Sequence, residues 1–163
     1  MILGMSIQVF TLLHVILSLA GIAAGFVAIF ALAANKLSSL TGFFLAATAL
    51  TSITGFLFPF HGVTPGIVLG ILSVIVLLLA VIALYGGKLA GGWRGTYVIG
   101  ASLALYFNVF VLFAQLFAKV PALKAIAPTQ SSPAFAATQL VVLLVFILLT
   151  IRSFKGFRGH RPG

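Results

Sequence analysis

The sequence contains no cysteine and no aspartate or glutamate among its 163 residues. Without cysteine there can be no disulfide, thiolate metal site, iron–sulfur ligation or cysteine nucleophile. Without a side-chain carboxylate, no such group can act as a general acid or base, hold Mg²⁺ or Ca²⁺, or relay protons through a bilayer. Pumps and ion-coupled carriers usually depend on such a group, so its absence argues against these two classes. We predict that the protein is not an enzyme and has no metal site.

Charged residues are scarce altogether. They make up 6% of the chain, hydrophobic residues make up 63%, and the mean hydropathy is +1.34. Soluble domains carry about a quarter charged residues, so this composition is typical of a membrane protein. The length suits one all-α transmembrane bundle over residues 1–151, followed by a basic cytoplasmic tail over 152–163.

Long apolar runs predict the individual spans. A helix needs roughly 20 apolar residues to cross the hydrocarbon core. Five segments qualify, at about 7–34, 42–58, 66–85, 95–119 and 134–151. The second, within "TGFFLAATALTSITGFLF", is short and rich in Thr, Ser and Gly. The alternative is therefore four spans with a re-entrant second segment.

The distribution of positive charge predicts the orientation, because short cytoplasmic loops collect Lys and Arg. With five spans, seven basic residues lie on one side: Lys36, Lys88, Arg94, Arg152, Lys155, Arg158 and Arg161. The other side holds only Lys119 and Lys124. Four spans would reduce the split to six against three. We therefore expect five spans, with the N-terminus outside and the C-terminus in the cytoplasm.

The end of the first segment, "ALAANK" at 31–36, resembles a signal-peptide cleavage site. The segment has no charged n-region, however, and its apolar run is far longer than an ordinary h-region. We expect a retained span.

Small residues predict where helices pack. "GIAAG" (Gly21 to Gly25) and "GIVLG" (Gly66 to Gly70) are small-xxx-small motifs, which let helix backbones approach closely in lipid. Val27 and Ile29 are expected to face lipid instead.

Five polar residues form the candidate binding set: His14, His61, Asn108, Gln115 and Gln139. In the five-span topology they lie in the outer half of the bundle or at its outer surface. Helix–helix contact is the favoured interpretation, and a shared cavity that binds haem, quinone or another lipophilic molecule is the alternative. His61 stands in the turn "FPFHGVTPG", where Pro and Gly explain the chain reversal and a solvated histidine is expected.

The last residues, "RSFKGFRGHRPG", interleave basic and aromatic side chains. Because this segment emerges directly from a span, we predict that Arg152, Lys155, Arg158 and Arg161 contact anionic lipid, and no nucleic-acid partner is expected.

Three segments, "TGFLFPFHGVTP", "WRGTYVIGA" and "YFNVFVLFAQLFAKVPALKAIAPTQ", resemble a family of small bacterial multi-pass inner-membrane proteins. The resemblance covers most of the chain beyond the first loop. It implies a bacterial inner-membrane location, and it implies no activity and no catalytic residue.

Three functions remain open at this point. The first is a non-enzymatic accessory or scaffolding subunit that associates with itself or with other membrane subunits. The second is a binder of haem, quinone or another lipophilic molecule in the outer half. The third is a channel or carrier for a neutral or anionic solute, with Lys119 and Lys124 attracting anions to the outer mouth.

Overall fold

The computed structural model describes residues 1–59 and 61–159, and this part of the chain forms helices and no β-strand. The helices are α1 (Ile7–Ala33), α2 (Thr41–Gly55), α3 (Pro65–Val81), α4 (Gly92–Lys119), α5 (Pro121–Ile126) and α6 (Pro133–Gly156). One π-helical turn, Ile82–Gly86, extends α3. Four of these helices, α1, α3 with its π turn, α4 and α6, are long and apolar enough to cross a membrane. The predicted all-α class is confirmed, and the four long apolar helices agree with the predicted multi-pass membrane protein.

Local sequence explains where the helices begin. Ser6 and Thr64 are N-caps whose hydroxyls accept hydrogen bonds from the backbone N–H three residues on, each at 3.3 Å. Proline occupies the first position of α3, α5 and α6, where its missing N–H costs nothing and its fixed φ suits a helix. The "T-P", "V-P" and "S-P" pairs in the sequence therefore mark three helix starts.

The "ALAANK" segment ends α1 in a Schellman motif. Asn35 adopts a left-handed backbone (φ 58), its N–H donates to Leu32 O at 2.9 Å, and the N–H of Lys36 donates to Ala31 O at 2.8 Å. Asparagine tolerates this conformation better than other non-glycine residues. The small residues here thus form a helix end in the folded protein.

Helix α2 is shorter than the predicted second segment. Its 15 residues span about 22 Å, less than the roughly 30 Å of a hydrocarbon core. It runs antiparallel to α1, because Ala47 lies beside Gly21 while Thr54, further along α2, reaches back to His14.

Helix α4 is the centre of the bundle and contacts α1, α2, α3 and α6. Tyr97, Val98 and Leu105 along α4 are fully buried, as are Phe44 on α2 and Leu32 on α1. The core therefore lies around α4, and α1 and α2 cover one side of it.

Ile29 is placed differently from the expectation that it faces lipid. Its side chain is 1% exposed and its carbonyl accepts a hydrogen bond from Ser153 on α6, whereas Val27 is 49% exposed. That expectation is wrong for Ile29, because α1 has a second packed face, against α6, that the glycine pattern does not reveal.

Loops from three parts of the chain meet at one end of the bundle, which we call the basic end (residues 33–40, 86–94 and 152–159). The backbone N–H of Arg158 donates to Asn35 Oδ1 at 2.8 Å, and Gly159 lies against Leu89 and Arg94. Helix α6 continues to Gly156, so the first residues of the predicted tail are helical.

Candidate functional site

His14 on α1 is half-buried and bonds to α2. Its Nδ1 lies 2.8 Å from Thr54 Oγ1, and the Thr54 hydroxyl lies 2.7 Å from the carbonyl oxygen of Leu50. When the Thr54 hydroxyl donates its single proton to the Leu50 carbonyl, its oxygen accepts a hydrogen bond from the Nδ1–H of His14. The ring also packs edge-on against Phe58, with centroids 5.2 Å apart. His14 therefore fixes the contact between α1 and the end of α2.

Asn108 makes a second, separate contact with α2. Its side-chain amide donates to Thr48 Oγ1 at 3.3 Å, and Thr48 is completely buried between the helices. Thr48 and Thr54 are six residues apart, or about 9 Å along the helix axis. His14 and Asn108 thus use the same helix at different heights.

The two glutamines lie elsewhere. Gln139 on α6 is buried, and its Nε2 donates to the carbonyl oxygen of Phe110 on α4 at 3.0 Å. Its Oε1 has no partner among the described residues. Gln115 is exposed on the surface of α4. The three buried or half-buried polar residues of the candidate set, His14, Asn108 and Gln139, therefore form three separate joints.

His61 lies exposed in the loop between α2 and α3. Among the described residues, no group of three His, Cys, Asp or Glu side chains comes close enough to hold a metal ion.

The Gly21–Gly25 motif lies in the contact between α1 and its neighbours. A Cβ on Gly21 would lie 3.1 Å from Ala47 Cβ, and one on Gly25 would lie 2.6 Å from Leu105 Cδ1 and 2.8 Å from Phe44. Side chains on α2 and α4 thus fill the space that the two glycines leave.

The Gly66–Gly70 motif on α3 is used differently. A Cβ on Gly70 would lie 3.1 Å from the ring of Phe56, which follows α2. Gly66 is exposed, and the nearest atom to a Cβ there is the Thr64 hydroxyl of the same chain segment, at 3.7 Å. Only Gly70 takes part in packing within the described chain.

The basic end carries the most concentrated charge in the structure. Arg94, near the start of α4, donates from Nη1 to the carbonyl oxygen of Phe154 at 3.0 Å and to that of Phe157. Its guanidinium also lies 5.1 Å from the centre of the Phe154 ring. Arg94 therefore binds the free carbonyls at the end of α6, where the helix dipole favours a cation.

Beside Arg94 lies an open pocket of about 410 Å³, lined by Arg94, Phe154, Lys155 and Arg158. Lys155 and Arg158 are exposed. Two of the four predicted lipid-contact residues, Lys155 and Arg158, thus share one pocket. Arg152 lies one turn earlier on α6, and Arg161 lies outside the described residues.

Arg94 is the residue that sequence reasoning assigned only to a loop. Its fixed geometry depends on α6, 60 residues away, so no local pattern predicts it. The same holds for Ser153, whose hydroxyl donates to Ile29 O at 3.1 Å, and for Gly156, which lies against the Ala33 backbone. Ser153 and Gly156 are small residues near the end of α6, and their size is the sequence feature that could have indicated a helix contact there.

Comparison with protein-family models, with curated proteins and with solved structures finds no match to the chain.

Proposed function

We propose that the protein is a non-enzymatic accessory or scaffolding subunit of an assembly in the bacterial inner membrane. The observation that carries the proposal is that the three candidate polar residues inside the bundle, His14, Asn108 and Gln139, are each engaged in a separate helix–helix joint. His14 bonds to Thr54, Asn108 to Thr48, and Gln139 to the Phe110 backbone. Polar groups held in this way fix the helices against one another and are not directed at one common ligand.

The proposal includes five spans with the N-terminus outside and the C-terminus in the cytoplasm. The contact between Asn35 and Arg158 supports it, because it brings Lys36 to the end of the bundle that carries Lys88, Arg94 and the C-terminal cations. Lys119 and Lys124 follow from the other end of α4. The uneven charge between the two ends favours a cytoplasmic basic end.

Helix α3 offers a surface for association. Of its residues only Ser73, Leu77 and Ala80 are buried, and α3 with its π turn is the most apolar of the long helices. The exposed Gly66 would let a neighbouring backbone approach closely. The partner is a second copy of this chain or another membrane subunit.

Subunit counting on protein extracted with its native lipid tests this role. We expect more than one copy, or a co-purifying membrane subunit, and fewer associated chains in Gly66→Leu. Val68→Leu, an exposed position on the same helix, should leave the count unchanged. A single copy without any partner would contradict the proposal.

A further inference from the structure

The pocket at the basic end carries positive charge that no acidic side chain of the sequence balances. The chain carries nine Lys or Arg and no Asp or Glu. Most of the positive charge must therefore be neutralised by anions from outside the chain.

Two of the basic residues of the pocket, Arg94 and Arg158, are anchored by hydrogen bonds. Arg94 is held by the Phe154 and Phe157 carbonyls, and the N–H of Arg158 is bonded to Asn35 Oδ1. A guanidinium has five N–H donors in a planar fork, so Arg94 keeps donors for a further acceptor. The α6 carbonyls offset part of the Arg94 charge, whereas Lys155 and Arg158 are exposed. Such an arrangement suits a phosphate group.

A groove of about 230 Å³ lies between α4 and α6, further from the basic end. Its lining is mostly aliphatic and aromatic and includes Ile99, Leu103, Tyr106, Leu143, Ile147 and Ile151. From Ile99 to Tyr106 it follows seven residues of α4, or about 10 Å.

The groove and the pocket lie along the same helix pair. Ile151 precedes Phe154 by three residues and Lys155 by four, so these side chains are neighbours on one face of α6. On α4, Ile99 lies five residues beyond Arg94, a rise of about 7.5 Å. A phosphate in the pocket and a hydrocarbon chain in the groove are thus separated by about one to one and a half helical turns.

The geometry points to a binding site for one anionic glycerophospholipid, with its phosphate between Arg94, Lys155 and Arg158 and an acyl chain in the α4–α6 groove. Charge selects the headgroup, and the adjacent apolar groove distinguishes this site from diffuse attraction to a membrane surface. The site is independent of the proposed assembly role, since it uses α4 and α6 and not the exposed face of α3.

Native mass spectrometry of the full chain in detergent tests the site, with phosphatidylglycerol as the probe and phosphatidylcholine of identical acyl chains as the comparison. We expect one phosphatidylglycerol to be retained per chain in preference to phosphatidylcholine. In Lys155→Gln/Arg158→Gln the affinity should fall about 25-fold, because each basic residue near the headgroups contributes a factor of about five. Lys124→Gln, which removes one exposed positive charge beyond the opposite end of α4 and outside the pocket, should bind like the parent chain.

The groove is tested by Ile147→Trp, which fills it without changing charge. We expect weaker phosphatidylglycerol binding, and Leu148→Trp, at the neighbouring position that is 68% exposed, should have little effect. Inorganic phosphate is the third arm. It should compete only weakly, because it cannot use the groove.

Three results would overturn the proposal. The first is equal retention of the two lipids, and the second is unchanged affinity in the double variant. The third is full competition by inorganic phosphate at equal concentration, combined with no effect of Ile147→Trp on binding. The last result would identify a free-phosphate site instead. A single-copy protein that still selects phosphatidylglycerol would contradict the assembly role and leave this site supported.

Discussion

At the scale of single residues, close backbone contact decides which glycines matter. A Cβ on Gly156 would lie 2.9 Å from the carbonyl carbon of Ala33, closer still to its oxygen, and 3.0 Å from its Cα. These are backbone atoms, which cannot turn aside as a flexible side chain can. Gly156 therefore permits the approach of α6 to the end of α1, together with the hydrogen bond from Ser153 to Ile29.

Gly156→Ala should accordingly destabilise the bundle by about 1–3 kcal/mol, the range for overpacking of a filled contact. Thermal unfolding in detergent measures this. Gly92→Ala is the matched control, since a Cβ there meets nothing within 4 Å. A loss of stability in the control as large as that in Gly156→Ala would show that the contact with Ala33 is not the cause.

The polar joints give a second prediction at this scale. In a double-mutant cycle, His14→Ala and Thr54→Val should couple by about 0.6 kcal/mol, the average for hydrogen bonds between membrane helices. His14→Ala and Asn108→Ala should instead be additive, because their partners on α2 are different. Strong coupling between His14 and Asn108 would indicate the shared cavity that the candidate set allowed.

At the scale of helices, the C-terminal end of α6 depends on a side chain from α4. The last carbonyls of a helix have no partner within it. Arg94 supplies the missing partner by donating hydrogen bonds to the carbonyl oxygens of Phe154 and Phe157, and the Phe157 side chain is buried. The end of α6 is consequently ordered by tertiary contact and not by its own sequence.

Replacing Arg94 with Gln should therefore loosen the last turn of α6. We expect amide hydrogen exchange at 154–158 to become faster, with the local opening free energy lowered by about 1–2 kcal/mol. Arg152→Gln, which lies on α6 itself, should leave exchange there unchanged. Protection that is equal in all three proteins would show that the Arg94 contacts do not hold the helix end.

At the scale of the whole molecule, three distant segments close the basic end. Asn35 follows α1, Leu89 precedes α4, and residues 157–159 follow α6, and these segments contact one another. Six of the nine basic residues belong to this end, namely Lys36, Lys88, Arg94, Arg152, Lys155 and Arg158. Positive charge is thus distributed unequally between the two ends of the bundle.

This unequal distribution of positive charge predicts that the basic end faces the cytoplasm. A reporter fused after Gly163 should be cytoplasmic, and a reporter inserted at Val63, which is 77% exposed in its loop, should be external. A cytoplasmic reporter at Val63 would reverse the orientation. Reporters on opposite sides at Asn35 and Gly163 would instead mean that α2 does not cross.

The sequence by itself determined the class of protein and the positions of most helices. Long apolar runs have no alternative to helices in lipid, because every backbone polar group must be bonded within the segment. Pro65, Pro121 and Pro133 mark helix starts in the same local way. The glycines of α1 also lie in a helix contact, since close approach in lipid requires small residues.

Only the tertiary structure decided which residues meet. The sequence placed His14, Asn108 and Gln139 in the outer half of the bundle, but the packed helices separate them into different joints. His14 and Asn108 contact α2 at different heights, and Gln139 contacts α4. Uniformly apolar helices carry little information about which face is buried, as Ile29 shows. Arg94 meets Phe154, Lys155 and Arg158 because the pocket between α4 and α6 exists only once both helices are packed. No segment of the chain encodes this pocket alone.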